Sequence, residues 1–376
     1  MALARDRSAA LQALADKQAI ATVLAVHARG IDRADARLLA SAYHDDGQVH
    51  YGFFDGPAAE FAHILANAQR SQPVTLHRPS NVWIALRGAR RALAESYVIA
   101  YVDTAADNGD GRMQRLVFGR YLDCLEKRGQ AWALTTRTYV LDSNINWPAS
   151  AAPADPAQAL AHFAPTGGHG AADAGRALLA IYAAGFDPSK TGGPPMNDAN
   201  AQARLIDSVL AKQHLHELLM AYSRGVDRAD DALLASVFHE DATVMTGAFN
   251  GAARDFVPFI MNLMRNQLKL AFHSVANEWF EVAGDQAVGE SYAIALAVAP
   301  GNDGDRDVLT GGRYIDKFER RNGAWKISSR SFVTDWTIDH PSTAQWGEGM
   351  YETLTLTGKK SKDDPVYAHW GEGAGP

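Results

Sequence analysis

Cysteine is almost missing from this chain. Cys124 is the single one in 376 residues, which excludes an intramolecular disulfide framework and a cysteine-based zinc site. Its place inside Tyr121-Leu-Asp-Cys-Leu-Glu126, an apparent strand, reads as packing rather than as a catalytic thiol. An excess of positive charge is missing as well. Lys+Arg 36 against Asp+Glu 43 gives a net charge of −7, with no basic block or tail, so nucleic acid is not an expected partner. No run approaches about 18 uninterrupted apolar residues, so no membrane span is expected. Met1–Ala15 alternates charges without the apolar core of a signal peptide. The default is a cytoplasmic protein.

The common signatures of chemistry are also absent. There is no phosphate-binding Gly-x-x-x-x-Gly-Lys, no Gly-x-Ser-x-Gly, no His-Glu-x-x-His and no dinucleotide fingerprint. Asp107–Gly111 is acidic and glycine-rich but lacks the ligand spacing and closing Glu of a calcium loop. His214 and His216 stand two apart on a helix and so face different sides, which favours a surface or core-rim reading over a metal. No metal and no cofactor are expected.

What is present is the same paragraph twice. Gly-Ile-Asp-Arg-Ala-Asp at Gly30–Asp35 returns as Gly-Val-Asp-Arg-Ala-Asp at Gly225–Asp230, and 11 of 17 positions are identical between Gly30–Asp46 and Gly225–Asp241. His44, His77, Asn81 and Trp83 return as His239, His273, Asn277 and Trp279. Gly119-Arg-Tyr121 returns as Gly312-Arg-Tyr314, and Arg137 as Arg330. Solenoid units run about 20–50 residues, so a match this long is a duplicated domain. The expected boundaries are 1–147 for the first domain, 148–200 for an Ala/Pro/Gly-rich linker, 201–340 for the second domain and 341–376 for a tail.

Each copy opens with apolar residues at helical spacing, over Leu11–Ile31 and Leu205–Val226. A short helix follows at Ala34–Tyr43 and Ala229–Phe238, capped by Asp32 or Asp35 and by Asp227 or Asp230. A third covers Pro57–Arg70 and Ala252–Gln267. The period then changes to strands, over Thr75–Leu86, Ala92–Asp103, Gln114–Glu126 and Trp132–Leu141 in the first copy. The fold expected is α+β, two tandem cone-shaped domains, each with three helices packed on a curved antiparallel sheet. A further short helix is expected at Ala172–Ala184. The tail, with Trp346, Tyr351, Tyr367 and Trp370, is expected to drape over a domain.

An acid, an imidazole and a guanidinium recur in register: Asp32, His77 and Arg137, then Asp227, His273 and Arg330. An Asp–His couple in a partly apolar cavity can act as a general base, and an Arg can stabilise developing negative charge. Each has a plainer reading: the acids as helix caps, the imidazoles as core residues, the arginines as surface strand residues. His44 and His239 read as structural hydrogen-bond donors. The copies differ where His27 becomes Tyr222, His50 and Tyr51 become Met245 and Thr246, and Arg78 becomes Ser274. The second pocket is expected to be greasier, with a tyrosine donor.

These residues resemble the nuclear transport factor 2 superfold and, more narrowly, its SnoaL-like branch, which includes scytalone dehydratase, bile-acid dehydratase and hexachlorocyclohexane dehydrochlorinase. The likeness rests on Gly30–Leu39 and Leu76–Trp83 and on their counterparts Gly225–Leu234 and Phe272–Trp279. It implies a catalytic dyad at Asp32 and His77 and at Asp227 and His273. Tyr222 matches the family's tyrosine where His27 departs from it, and Arg137 and Arg330 match its last-strand arginine. The substrate-binding set expected with them is His27, His50, Tyr51, Arg78, Trp83, Tyr97, Trp279 and Tyr292, with Trp147 and Trp336 also near the pocket mouths. The resemblance implies a cofactor-free lyase acting by elimination, dehydration or retro-aldol deformylation on a small hydrophobic aromatic alcohol. Lignin-derived diarylpropane diols, which lose formaldehyde to give stilbenes, are one such class. An isomerase, an epoxide hydrolase, or a non-catalytic binding or assembly module of the same fold are the alternatives. A homo-oligomer is a further expectation.

Overall fold

The computed structural model describes residues 2–70, 75–105, 111–148, 168–173 and 199–371. In the first copy helices α1 (Ala2–Asp32), α2 (Ala36–Ala40) and α3 (Ala58–Arg70) accompany strands β1 (Tyr43–His50), β2 (Asp55–Pro57), β3 (Leu76–Leu86), β4 (Arg91–Ala105), β5 (Arg112–Arg128) and β6 (Ala131–Pro148). The second copy repeats them as α4 (Ala199–Asp227), α5 (Asp231–Ser236), α6 (Ala253–Asn266), β7 (Phe238–Met245), β8 (Asn250–Ala252), β9 (Leu270–Ala283), β10 (Gln286–Gly301), β11 (Gly304–Arg321) and β12 (Ala324–Pro341). The sheets are ordered β2-β1-β6-β5-β4-β3 and β8-β7-β12-β11-β10-β9.

Two tandem α+β domains are therefore present, with one correction to the sheet. The segment after the second helix is a strand that the sequence pattern conceals, and β1 pairs with β6, as β7 does with β12, in parallel. Asp45-Asp46-Gly47 inside β1 have little preference for strand, and the parallel pairing fixes them nonetheless. The Ala172–Ala184 helix and the Asp107–Gly111 turn fall almost wholly outside the described residues.

The first helix of each copy lies in the hollow of its sheet. Ile20, Leu24, His27 and Ile31 form a buried helical stripe, and Leu215, Leu219, Tyr222 and Val226 form the same stripe 195 positions later. Ser8–Asp32 is long and apolar enough to cross a membrane by length and composition, which a reading of uninterrupted runs did not register. Gly30 explains its own recurrence: a Cβ there would lie 2.7 Å from the Leu39 backbone, so glycine lets α1 end tightly against α2. The caps of the short helices are Asp35 and Asp230, which accept from the backbone N–H of Leu38 and Leu233. Asp32 and Asp227 are thereby released for another task.

The two sheets meet by their outward faces. Tyr97, Ile99, Phe118 and Ile145 of the first pack with Phe272, Leu296, Val298 and Leu309 of the second. Beside this apolar contact lies a buried ionic cluster. Arg120 takes Asp142 and Asp364 in bidentate fashion and reaches Glu95, which also accepts from Arg224. Arg228 bonds Asp142 and Asp364. Burial alone would raise Asp364, but Arg120 and Arg228 hold it down at about 2. Asp364 opens helix α7 (Pro365–Trp370), so the tail of the second copy drapes over the first, with Trp370 packed on Trp83 at 5.3 Å between centroids.

Candidate active site

Where the first helix ends, its last carboxylate turns into the sheet. Asp227, fully buried, accepts the backbone N–H of His273 at 2.9 Å and the ring Nδ1 of His273 at 2.5 Å. Asp32 does the same for His77, at 2.9 Å and 2.7 Å, and also takes the Thr75 hydroxyl at 3.0 Å. Burial works to raise the Asp227 pKa, yet His273 and Arg228 leave it below the ordinary carboxylate value. An ionised carboxylate only accepts, so Nδ1 carries the proton and Nε2 presents its lone pair. Neither acid is the cap of the following helix.

The arginines are not surface residues either. Arg330 bonds Asp316 bidentately at 2.8 and 2.7 Å, and Arg137 bonds Asp123 at 2.7 Å twice, each arginine 1% exposed. Arg330 lies 4.0 Å from the centre of the Tyr222 ring and 4.3 Å from that of Tyr314. Burial pushes the Tyr222 phenol up, and Arg330 works against that rise.

In the second copy the dyad opens into a cavity of about 320 Å³. His273, Tyr222 and Tyr314 are its polar groups, with Thr246 and Thr310, and Phe256, Phe259, Ile260, Leu263 and Phe332 are among its apolar walls. Arg330 is not among the lining residues and reaches the cavity only through the tyrosine rings. In the first copy the same space holds side chains. Tyr51 stacks on Tyr139 (5.6 Å, 12° between planes) and packs on Phe61, Phe53 and Tyr121. At the positions of Tyr51 and Phe53 the second copy has Thr246 and Ala248. His27, wholly buried, bonds the Tyr43 hydroxyl at 2.9 Å, and burial drives its pKa well down, so it is a neutral core residue.

Several residues expected in a pocket lie elsewhere. His50 faces Asp55 at the surface. Arg78 reaches across to the Ser274 hydroxyl of the other copy at 2.8 Å. Trp83 and Tyr97 are buried on the outward face of the first sheet, while Trp279 and Tyr292 are exposed on the outward face of the second. Trp147 is exposed near the end of β6, and the Trp336 side chain lies outside the described residues. His44 and His239 bond the backbone carbonyls of Glu126 and Glu319, as structural histidines should. His216 bonds Glu278 and the Val82 carbonyl, tying α4 to both sheets.

The residues that sequence reasoning missed are those that make room. Thr246 was visible as a difference from Tyr51, but Ala248 against Phe53 passed unnoticed, and so did the wall built by α6. Gly119 and Gly312 belong to the same design. A Cβ there would strike the Tyr139 or Phe332 ring at 2.4–2.5 Å, so glycine lets that ring lie over the strand.

A paired domain with a carboxylate-bound imidazole at the end of its first helix defines the class. The chain belongs to the SnoaL-like domain family, whose model matches residues 12–138 and again residues 207–331. Among solved structures, a hexachlorocyclohexane dehydrochlorinase of type 2 is 20% identical, covering 39% of this chain and 99% of its own, with a TM-score of 0.35. A type 3 dehydrochlorinase from Novosphingobium barchaimii is 20% identical over 36% of this chain and 93% of its own (TM-score 0.34). A provisionally assigned scytalone dehydratase from Novosphingobium aromaticivorans is 22% identical over 36% and 92% (TM-score 0.33). None of the curated proteins matches this chain.

Proposed function

We propose that the second copy is a cofactor-independent lyase acting on a hydrophobic aromatic alcohol, and that the first is its structural partner. The observation that carries this reading is His273, held by a buried carboxylate, opening with Tyr222 into an apolar cavity. A volume of about 320 Å³ stands at the lower end of sites for drug-sized molecules, roughly 300–1,000 Å³. Such a cavity suits a compact molecule of one or two rings.

In the first step Nε2 of His273 removes a hydroxyl or carbon-bound proton, and Asp227 stabilises the imidazolium that forms. Tyr222, with Arg330 against its ring, donates to the oxygen on which charge develops. For a 1,2-diarylpropane-1,3-diol the proton taken is that of the primary hydroxyl. Its oxygen becomes the carbonyl of formaldehyde as the carbon–carbon bond breaks. That electron pair forms the stilbene double bond, and the benzylic hydroxyl leaves with a proton as water. Atoms and electrons balance with no oxidant or reductant.

The test is to mix the metal-stripped protein with such a diol and follow stilbene absorbance and formaldehyde together. Equal amounts of both, without any additive, support the reading. Stilbene that depends on an added cofactor would overturn it. No product from this diol, or from a panel of other hydroxylated aromatics, would remove the lyase assignment.

A further inference from the structure

The contact between the two copies is not reciprocal. One copy receives and the other gives, and the chain exposes a second, unused set of both surfaces. The receiving surface is the outward face of the first sheet, where Trp83, Tyr97, Leu122 and Val140 are at most 4% exposed around the Glu95–Arg120 pair. The giving surface belongs to the second copy. Arg224 at the end of α4 bonds Glu95 and lies 3.9 Å over Trp83, Arg228 with Asp364 engages Asp142 and Arg120, and Phe272 packs on Tyr97 at 4.8 Å.

Every principal part of this arrangement exists again. On the second sheet Trp279, Glu290 and Ile315 are register neighbours, as are Tyr292, Arg313 and Val333, matching Trp83-Glu95-Leu122 and Tyr97-Arg120-Val140 strand by strand. Here the same positions are bare: Trp279 is 56% exposed and Tyr292 47%, and Ile315 and Val333 are exposed too. Glu290 and Arg313 pair at 3.0 Å at the centre of this face. On the first copy the counterparts of Arg224, Arg228 and Phe272 are Arg29, Arg33 and Leu76. Arg29 is exposed, and Leu76 is 55% exposed where Phe272 is wholly buried. Asp173 comes back to Arg33 at 3.5 Å, as Asp364 does to Arg228 at 3.2 Å. Four large apolar side chains exposed together mark an interaction surface rather than scattered exposure.

We propose that the bare face of the second sheet is covered by a second copy of this chain, whose Arg29, Arg33 and Leu76 surface sits on it. In this contact Arg29 takes the place of Arg224 on Glu290, Arg33 with Asp173 engages Arg313, and Leu76 packs on Tyr292. A contact that joins unlike surfaces gives a ring where its rotation closes and an open filament where it does not, and the smallest ring is two chains satisfying each other. The copied contact is poorer than the internal one. Asn81 bonds the His273 carbonyl and the Val275 N–H across the internal interface, whereas Asn277 would face Pro79, which has no N–H. The association is therefore expected to depend on concentration.

Sedimentation of the full chain across a concentration series tests this, with Arg29→Glu, Glu290→Arg and the double variant run beside it. Circular dichroism would serve as the check on folding. The expected result is a multimer for the unchanged chain, a tenfold or greater weakening in each single variant, and recovery in the double. A chain that stays monomeric at all concentrations overturns the proposal. A multimer unaffected by either charge reversal overturns it as well, because association would then use a different surface.

Discussion

At the residue scale, the site depends on one carboxylate. Asp227 is inside the protein, and what it gains in return for burial is an imidazole fixed in one tautomer. His273→Ala removes the base, and steady-state kinetics should show kcat lowered by about 10²–10⁴-fold, the range for general acid–base catalysis. Asp227→Asn should approach the same loss, while His77→Ala should leave turnover in place. Because the Asp227 pKa lies below its ordinary value, its charge contributes stability that is full above the ordinary carboxylate value and lost as pH falls through its own, so the Tm deficit of Asp227→Asn should shrink in acid. A Tm deficit undiminished in acid would contradict this. The Asp–His pairing was legible in sequence because both members recur at matched positions. The tryptophans were misplaced for a reason that sequence does not display. Trp83 is six residues after His77, which strict alternation puts on the same face. A bulge centred on Asn81, at φ 47°, moves it to the other side, and Asn277 does the same for Trp279.

At the level of elements, the two copies differ in what fills the space between the first helix and the sheet. Thr246 and Ala248 follow β7, where Tyr51 and Phe53 follow β1; Thr246 lines the cavity, whereas Tyr51 is buried against Phe61, Tyr121 and Tyr139. Thr246→Tyr with Ala248→Phe should abolish substrate binding, read by titration calorimetry, without touching the dyad and with far-UV circular dichroism unchanged. A second prediction concerns His216 on α4. Burial lowers its pKa, but hydrogen bonds from its ring to Glu278 and to the Val82 carbonyl carry it above the ordinary value. A raised folded pKa means stabilisation that is full below the unfolded value of about 6.5 and lost as pH rises through the folded one. His216→Gln should therefore lower Tm at pH 6 and matter much less at pH 9. Strands β3 to β6 were legible from their Val, Tyr, Trp and Thr content. Strands β1 and β7 were not, since tertiary pairing rather than local preference holds them.

For the whole molecule, the buried cluster of Arg120, Arg228, Asp142, Asp364 and Glu95 makes two domains and a tail into one body. Removing one member leaves buried charge without its partner, at a cost of roughly 3–5 kcal/mol. Arg120→Ala should accordingly lower Tm by far more than Arg128→Ala, whose partners Asp46 and Glu126 share an exposed surface. Equal effects would mean that the cluster contributes nothing special to domain docking. The duplication was legible at this scale, and so was a tail that covers a domain. The direction of the covering, second copy onto first, depends on Asp364 meeting Arg120 some 244 residues away, a separation that no local pattern encodes. In the proposed function one copy works and the other supports it. Stilbene formation from a diarylpropane diol, measured for the unchanged chain, His77→Ala and His273→Ala without cofactor, tests it most directly. Activity kept in His77→Ala and lost in His273→Ala is the predicted result, and the reverse pattern would contradict the account.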